Sequence, residues 1–167
     1  MKNFLAAAAM AALLPMATAH AGELITNGTF DDGFAGFYSD YNIALTHNLI
    51  PEGAYDVITD PNADHNLFSS FSDHTPGADT GLMMVVNGSP DADAVIWGEG
   101  TNANPLYGRA GVAYKFSFYL ADVYPSSPAN LNLWINGVKL TGGQGGLFQA
   151  AGGNANLGVW QHFTYSG

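Results

Sequence analysis

The chain has 167 residues, with 4 lysines and arginines against 14 aspartates and glutamates, a formal net charge of −10 and no cysteine. That balance argues against nucleic acid or an anionic membrane as partner, since phosphate calls for a basic face, and leaves neutral glycans and divalent cations as suitable ligands. Without cysteine no disulfide can staple the fold, so an apolar core or a bound ion must hold it.

Residues 1–21 read as a cleaved signal peptide. Lys2 supplies a positive start, FLAAAAMAALLPM is apolar but too short to span a bilayer, and Ala19-His20-Ala21 is a small-x-small cleavage signature. Cleavage after Ala21 leaves one domain, 22–167, exported to the periplasm, the cell surface or the medium. The mature chain has no run apolar enough to span a membrane, and only Arg109, Lys115 and Lys139 as cations.

Beyond the leader, glycine, proline, asparagine and aspartate break the chain into short β-branched and aromatic runs, the pattern of an all-β protein. Strands are predicted near 23–26, 36–44, 54–59, 81–87, 93–98, 112–123, 131–140, 146–150 and 158–165. Asn136-Gly137, between WI and VKL, suits a tight hairpin turn. In KFSFYLAD, alternation puts Phe116, Phe118 and Leu120 on one face and Lys115, Ser117 and Tyr119 on the other. In LNLWIN, Leu131, Leu133 and Ile135 oppose Asn132, Trp134 and Asn136. Trp97 and Trp160 read as core or core rim.

Asp73-His74-Thr75-Pro76-Gly77, just ahead of GLMMVVNG, has the look of a catalytic acid and base. Neighbouring side chains on an extended segment point apart, however, so the pair lacks triad geometry. No serine sits in a G-x-S-x-G elbow, and no HExxH or His-x-His pairs two imidazoles. The expectation is a loop into a strand and a protein that is not an enzyme.

Several phrases resemble those of a known group. ELITNGTFDDG at 23–33 resembles the opening strand of galactose-binding-like and carbohydrate-binding jelly rolls. TDPNADHNLFSSFSDHTPGADTGLMMVVNG at 59–88, AVIWGEG, and YKFSFYLADVYPSSPANLNLWING at 114–137 are similar in wording and order to exported bacterial proteins of the PEP-CTERM type. The resemblance implies an antiparallel β-sandwich of jelly-roll type, exported and without catalytic residues. It also implies strands beyond WQHFTY at 160–165, then a Pro-Glu-Pro tail with a hydrophobic helix. Against that pattern the sandwich is expected to be incomplete at its C-terminus, as a fragment or a shortened relative, with an open sheet edge that invites self-association.

Three sets of ligand candidates follow. The resemblance implies a structural Ca²⁺ at an acid just after the first strand, matching Asp31 with Asp32 beside it. Asp60, Asn62 and Asp64 alternate as the oxygen ligands of an EF-hand loop do, but His65 stands where that loop needs glycine and Phe71 where it needs glutamate, which leaves a weak loop site. For a sugar, Trp134 and Tyr119 offer flat aromatic faces, and Asn132 and Asn136 offer amides for hydroxyls. The expected function is therefore an exported, non-catalytic module that binds glycan or associates with extracellular polysaccharide. The alternative is a structural or adhesive surface protein that binds itself or other proteins and no sugar.

Overall fold

The computed structural model describes residues 23–75, 81–100, 105–126, 128–140 and 147–166. The predicted signal peptide lies outside them. Among the described residues the chain is all-β in character, with small sheets of two or three strands and almost no helix. No helix there is long and apolar enough to cross a membrane.

The first sheet has the order β1 (Asn42–Ile43), β2 (Ala54–Ile58), β3 (Met83–Asn87). β2 is central, parallel to β1 and antiparallel to β3, with Asp56 opposite Val85. Its sequence, Ala-Tyr-Asp-Val-Ile, is buried at every position, which suits β-branched and aromatic side chains covered on both faces. Leu49, Ala44, Ala54, Ile58, Phe68, Met83 and Val85 form the core beside it. Between β2 and β3 a one-turn helix, α1 (Pro61–Asp64), starts at Asp60, whose carboxylate accepts from the Asn62 N–H. Proline at the first helical position suits that start.

The second sheet pairs β4 (Lys115–Leu120) with β9 (Gln161–Ser166), antiparallel, with Phe118 opposite Phe163. Exposure along β4 alternates as its sequence predicts, with Phe116, Phe118 and Leu120 covered. Phe118 stacks on Phe163 with ring centroids 5.5 Å apart and meets Phe148 edge-on at 5.1 Å. Phe148 belongs to β8 (Leu147–Phe148), which pairs with β5 (Leu131–Asn132). β5 is thereby brought to β4 through an aromatic bridge rather than by direct pairing. The two sheets meet where Phe71, Val123 and Trp160 pack against the first core, and the Trp160 ring N–H donates to the Ser72 carbonyl. Trp97 and Trp160 are half-buried, as expected of core-rim residues.

The predicted hairpin forms: β6 (Trp134–Ile135) pairs with β7 (Val138–Lys139) across Asn136-Gly137. Both turn residues have positive φ, 52° and 73°, the type I′ turn that Asn-Gly favours. Two predicted strands do not form ladders. The backbone N–H of Thr26 in segment 23–26 goes to the Glu99 carboxylate instead of a neighbouring strand. Segment 93–98 runs beside 38–40 through the isolated bridge of Gly98 to Tyr38 and bonds at Val95, whose carbonyl accepts from the Asp40 N–H and the Ser39 hydroxyl and whose N–H donates to the Asp40 carboxylate.

Gly158 marks a point of close approach. Its φ is +68° and a Cβ there would lie 2.8 Å from the Phe71 ring. Gly158→Ala is expected to cost about 2–3 kcal/mol, from left-handed strain plus overpacking, read as a lowered midpoint in urea unfolding. An unchanged midpoint would show that the ring gives way freely.

Candidate functional site

The structure places the expected ligands in different settings. Asp31 and Asp32 are exposed, and their loop is organised by the Asn27 side chain. The amide of Asn27 donates to the carbonyls of Gly33 and Ala35, and its oxygen accepts from the Asp32 N–H. The loop thus presents a hydrogen-bonded turn rather than a ring of free oxygens. Asp60 and Asn62 also serve local structure. Asp60 caps α1 and accepts from the Ser70 hydroxyl at 2.7 Å, and Asn62 donates to the Phe68 carbonyl.

Tyr119 and Trp134 are not brought together by any ring contact among the described residues. Tyr119 lies between two imidazoles, with centroids 3.8 Å from His74 and 4.6 Å from its cross-strand neighbour His162. Trp134 is 58% exposed on the β6–β7 hairpin. Asn132 and Asn136, at the end of β5 and in the turn, are exposed near it in sequence. His74 also meets Trp160 edge-on, at 6.0 Å. No hydrogen bond joins it to Asp73 among the described residues. Packing against aromatics is what the structure gives the DHTPG histidine; Pro76 and Gly77 lie outside the described residues.

Asp64 has separated from Asp60 and Asn62 and joined two residues that sequence reasoning missed. His47, Asp56 and Asp64 each offer a ligand atom, all within 4.8 Å of one another. They come from three places: the loop between β1 and β2, the middle of β2, and the end of α1. The loop is fixed by the His47 N–H donating to the Ala44 carbonyl and the Leu49 N–H donating to the Asp64 carbonyl. His47 has φ +51°, uncommon for a side chain with a Cβ and costly enough to need support from its surroundings.

His47 Nδ1 lies 2.9 Å from Asp56 Oδ2 and 3.6 Å from Asp64 Oδ1. The imidazole is 70% exposed, while each carboxylate side chain is only 2% exposed. Asp56 Oδ1 accepts from the Val57 N–H at 2.7 Å. Asp64 Oδ2 is buried without a hydrogen-bond partner among the described residues. Burial, and then the neighbouring Asp56, push the Asp64 carboxyl up from 3.8 to about 6. The His47 imidazole is raised above its ordinary range, first by its hydrogen bond to Asp56 and then by the charges of Asp56 and Asp64. Two buried acids and a solvent-facing imidazole can share protons or a cation.

One signal for Asp56 was present in the sequence: a lone acid inside an otherwise apolar strand, Ala-Tyr-Asp-Val-Ile. Such a group is buried only with partners. Nothing in the spacing of His47 marks it as one of them. Compared with models of known protein families, with curated proteins and with solved structures, the chain matches none.

Proposed function

We propose that this chain is an exported, non-catalytic binding module that takes glycan at an exposed aromatic face and associates with extracellular polysaccharide. The observation that carries the reading is Trp134, large, apolar and 58% exposed on a two-stranded hairpin. Solvent-facing tryptophan on a rigid turn is a platform for the C–H face of a sugar ring, and the amides of Asn132 and Asn136 are within the same exposed stretch. The acidic surface suits neutral glycans better than polyanions. On this reading the sheets belong to a β-sandwich of jelly-roll type, a view supported by Val123 and Trp160, which lie next to β4 and β9 in the chain and pack against the core of the first sheet. Tyr119 is the weaker platform, because His74 and His162 lie against its ring.

Trp134→Ala is expected to weaken binding at least about tenfold to whichever neutral polysaccharide the protein retains in affinity electrophoresis, since a central aromatic carries a large share of such contacts. Undiminished affinity would remove the platform.

A second reading is favoured by a different feature of the same hairpin. Ile135 and Val138 are opposite each other and both exposed, an apolar pair that suits association with a second copy. Val138→Asp would abolish concentration-dependent dimers in sedimentation while leaving sugar binding intact, whereas a monomeric wild type would dismiss this reading.

A further inference from the structure

We propose that His47, Asp56 and Asp64 form a binding site for a first-row divalent transition-metal ion, Zn²⁺ foremost. This goes beyond glycan binding and does not depend on it. The donor set is one imidazole nitrogen and two carboxylates. Such a set suits zinc or manganese, whereas Ca²⁺ takes six to eight oxygens and gains little from imidazole.

The spacing fits. Ligand atoms about 2.0–2.1 Å from a tetrahedral ion stand about 3.3 Å from one another. His47 Nδ1 to Asp56 Oδ2 is 2.9 Å and to Asp64 Oδ1 is 3.6 Å, on either side of that value. The remaining edge, Asp56 to Asp64, lies within 4.8 Å, and a bound ion would draw the two carboxylates together.

A second observation is independent of the spacing. Asp64 Oδ2 is buried with no hydrogen-bond partner among the described residues, on a side chain only 2% exposed. Buried carboxylate oxygens are normally satisfied, because an unpaired one carries its full desolvation cost. A cation among the three side chains, taken by both oxygens of Asp64, would supply the partner that Oδ2 lacks while Oδ1 keeps its place facing His47. The Val57 N–H donates to Asp56 Oδ1, which holds that carboxylate with its other oxygen toward His47. With His47 on the solvent side, the fourth position is open to water. Three protein ligands and a water make an exchangeable site, in contrast to a closed four-ligand structural one.

The test uses the full exported chain after EDTA treatment and dialysis. Zn²⁺ is titrated calorimetrically at pH 7.5, and thermal unfolding is followed with Zn²⁺, Mn²⁺, Ca²⁺ or Mg²⁺. One equivalent of Zn²⁺ is expected to bind. At 100 times the dissociation constant, the transition should rise by several degrees, the mass-action effect of a ligand that binds only the folded state. Ca²⁺ and Mg²⁺ at the same concentration should leave it unmoved. His47→Gln removes the nitrogen ligand from an exposed position without touching the core, and should lower Zn²⁺ affinity at least tenfold. Asp64→Asn should do the same, and the His47 variant keeps the test decisive if that protein fails to fold. Absence of Zn²⁺ binding, undiminished binding in His47→Gln, or an equal response to Ca²⁺ would each overturn the proposal.

Discussion

Replacing Leu49 by alanine is expected to lower stability by about 3 kcal/mol, within the usual span for a fully buried leucine, and to lower the thermal midpoint by roughly 10 °C. Leu49 is fully buried among Ala44, Ala54, Ile58, Phe68, Met83 and Val85. Several of these are small, and the backbone around the site is held on both sides. The Leu49 N–H donates to the Asp64 carbonyl, and the Asn87 amide grips the carbonyls of Leu49 and Ile50. A cavity there cannot readily collapse, so the loss should sit well above the lost transfer term alone. The effect would be a large fraction of the total, since domains of this kind are stable by only about 5–15 kcal/mol. Leu45→Ala serves as the control. Leu45 is highly exposed in the same loop, and its loss should change stability by no more than about 0.5 kcal/mol. Calorimetry on the two variants decides the matter: equal midpoints would mean that the core is not organised around Leu49.

The second large effect is on pH dependence. In the metal-free protein, stability should fall as pH rises from 5 to 8, the reverse of ordinary acid denaturation. The Asp64 carboxyl titrates near 6 when folded and near 3.8 when free. Between those values the folded chain holds a proton that the unfolded chain has released, so raising the pH favours unfolding. His47 acts in the same direction at higher pH. Its imidazole is raised above 6.5 by Asp56, so the stability it contributes is complete below 6.5 and is lost as pH rises through its folded value. The Asp64 share of this loss should lower the midpoint by a few degrees across that range, and His47 adds to it in the same direction. Asp64→Asn should flatten the lower part of the slope. Stability that rises over the same range, or a slope unchanged in the variant, would contradict the assignment. Saturating Zn²⁺ should invert the slope, because coordination needs both groups deprotonated.

Much of the scaffold is written locally. The runs AYDVI, MMVVN, KFSFYL and QHFTYS carry β-branched or aromatic residues at alternating or continuous positions, and each is a strand. Asn136-Gly137 fixes its own turn through positive φ. Segments 23–26 and 93–98 have similar composition, yet their hydrogen bonds go to the carboxylates of Glu99 and Asp40 and to one isolated bridge. Which backbone groups pair is a tertiary outcome that local composition does not specify. The cluster illustrates the same limit. Asp64 stood out in sequence through its spacing from Asp60 and Asn62, but cap formation turned those two to local duties. Asp56 and His47 reach Asp64 only because β2 is central and the loop before it bends back at a left-handed residue. Asp56 was visible as a charge in an apolar strand; its partners follow from the fold.

The pairing of β4 with β9 has a kinetic consequence. These strands are joined through the whole of the chain from Ala121 to Trp160, so closing that sheet costs loop entropy before it returns any contact. Topologies dominated by such distant pairings fold in milliseconds to seconds, whereas an isolated hairpin such as β6–β7 closes in about 1–10 μs. Early in each folding event, therefore, Trp134, Ile135 and Val138 are displayed on a local turn while the pairing of Phe118 with Phe163 is still open. During that interval, as well as through the exposed pair of the finished fold, the chain is open to joining another of its kind.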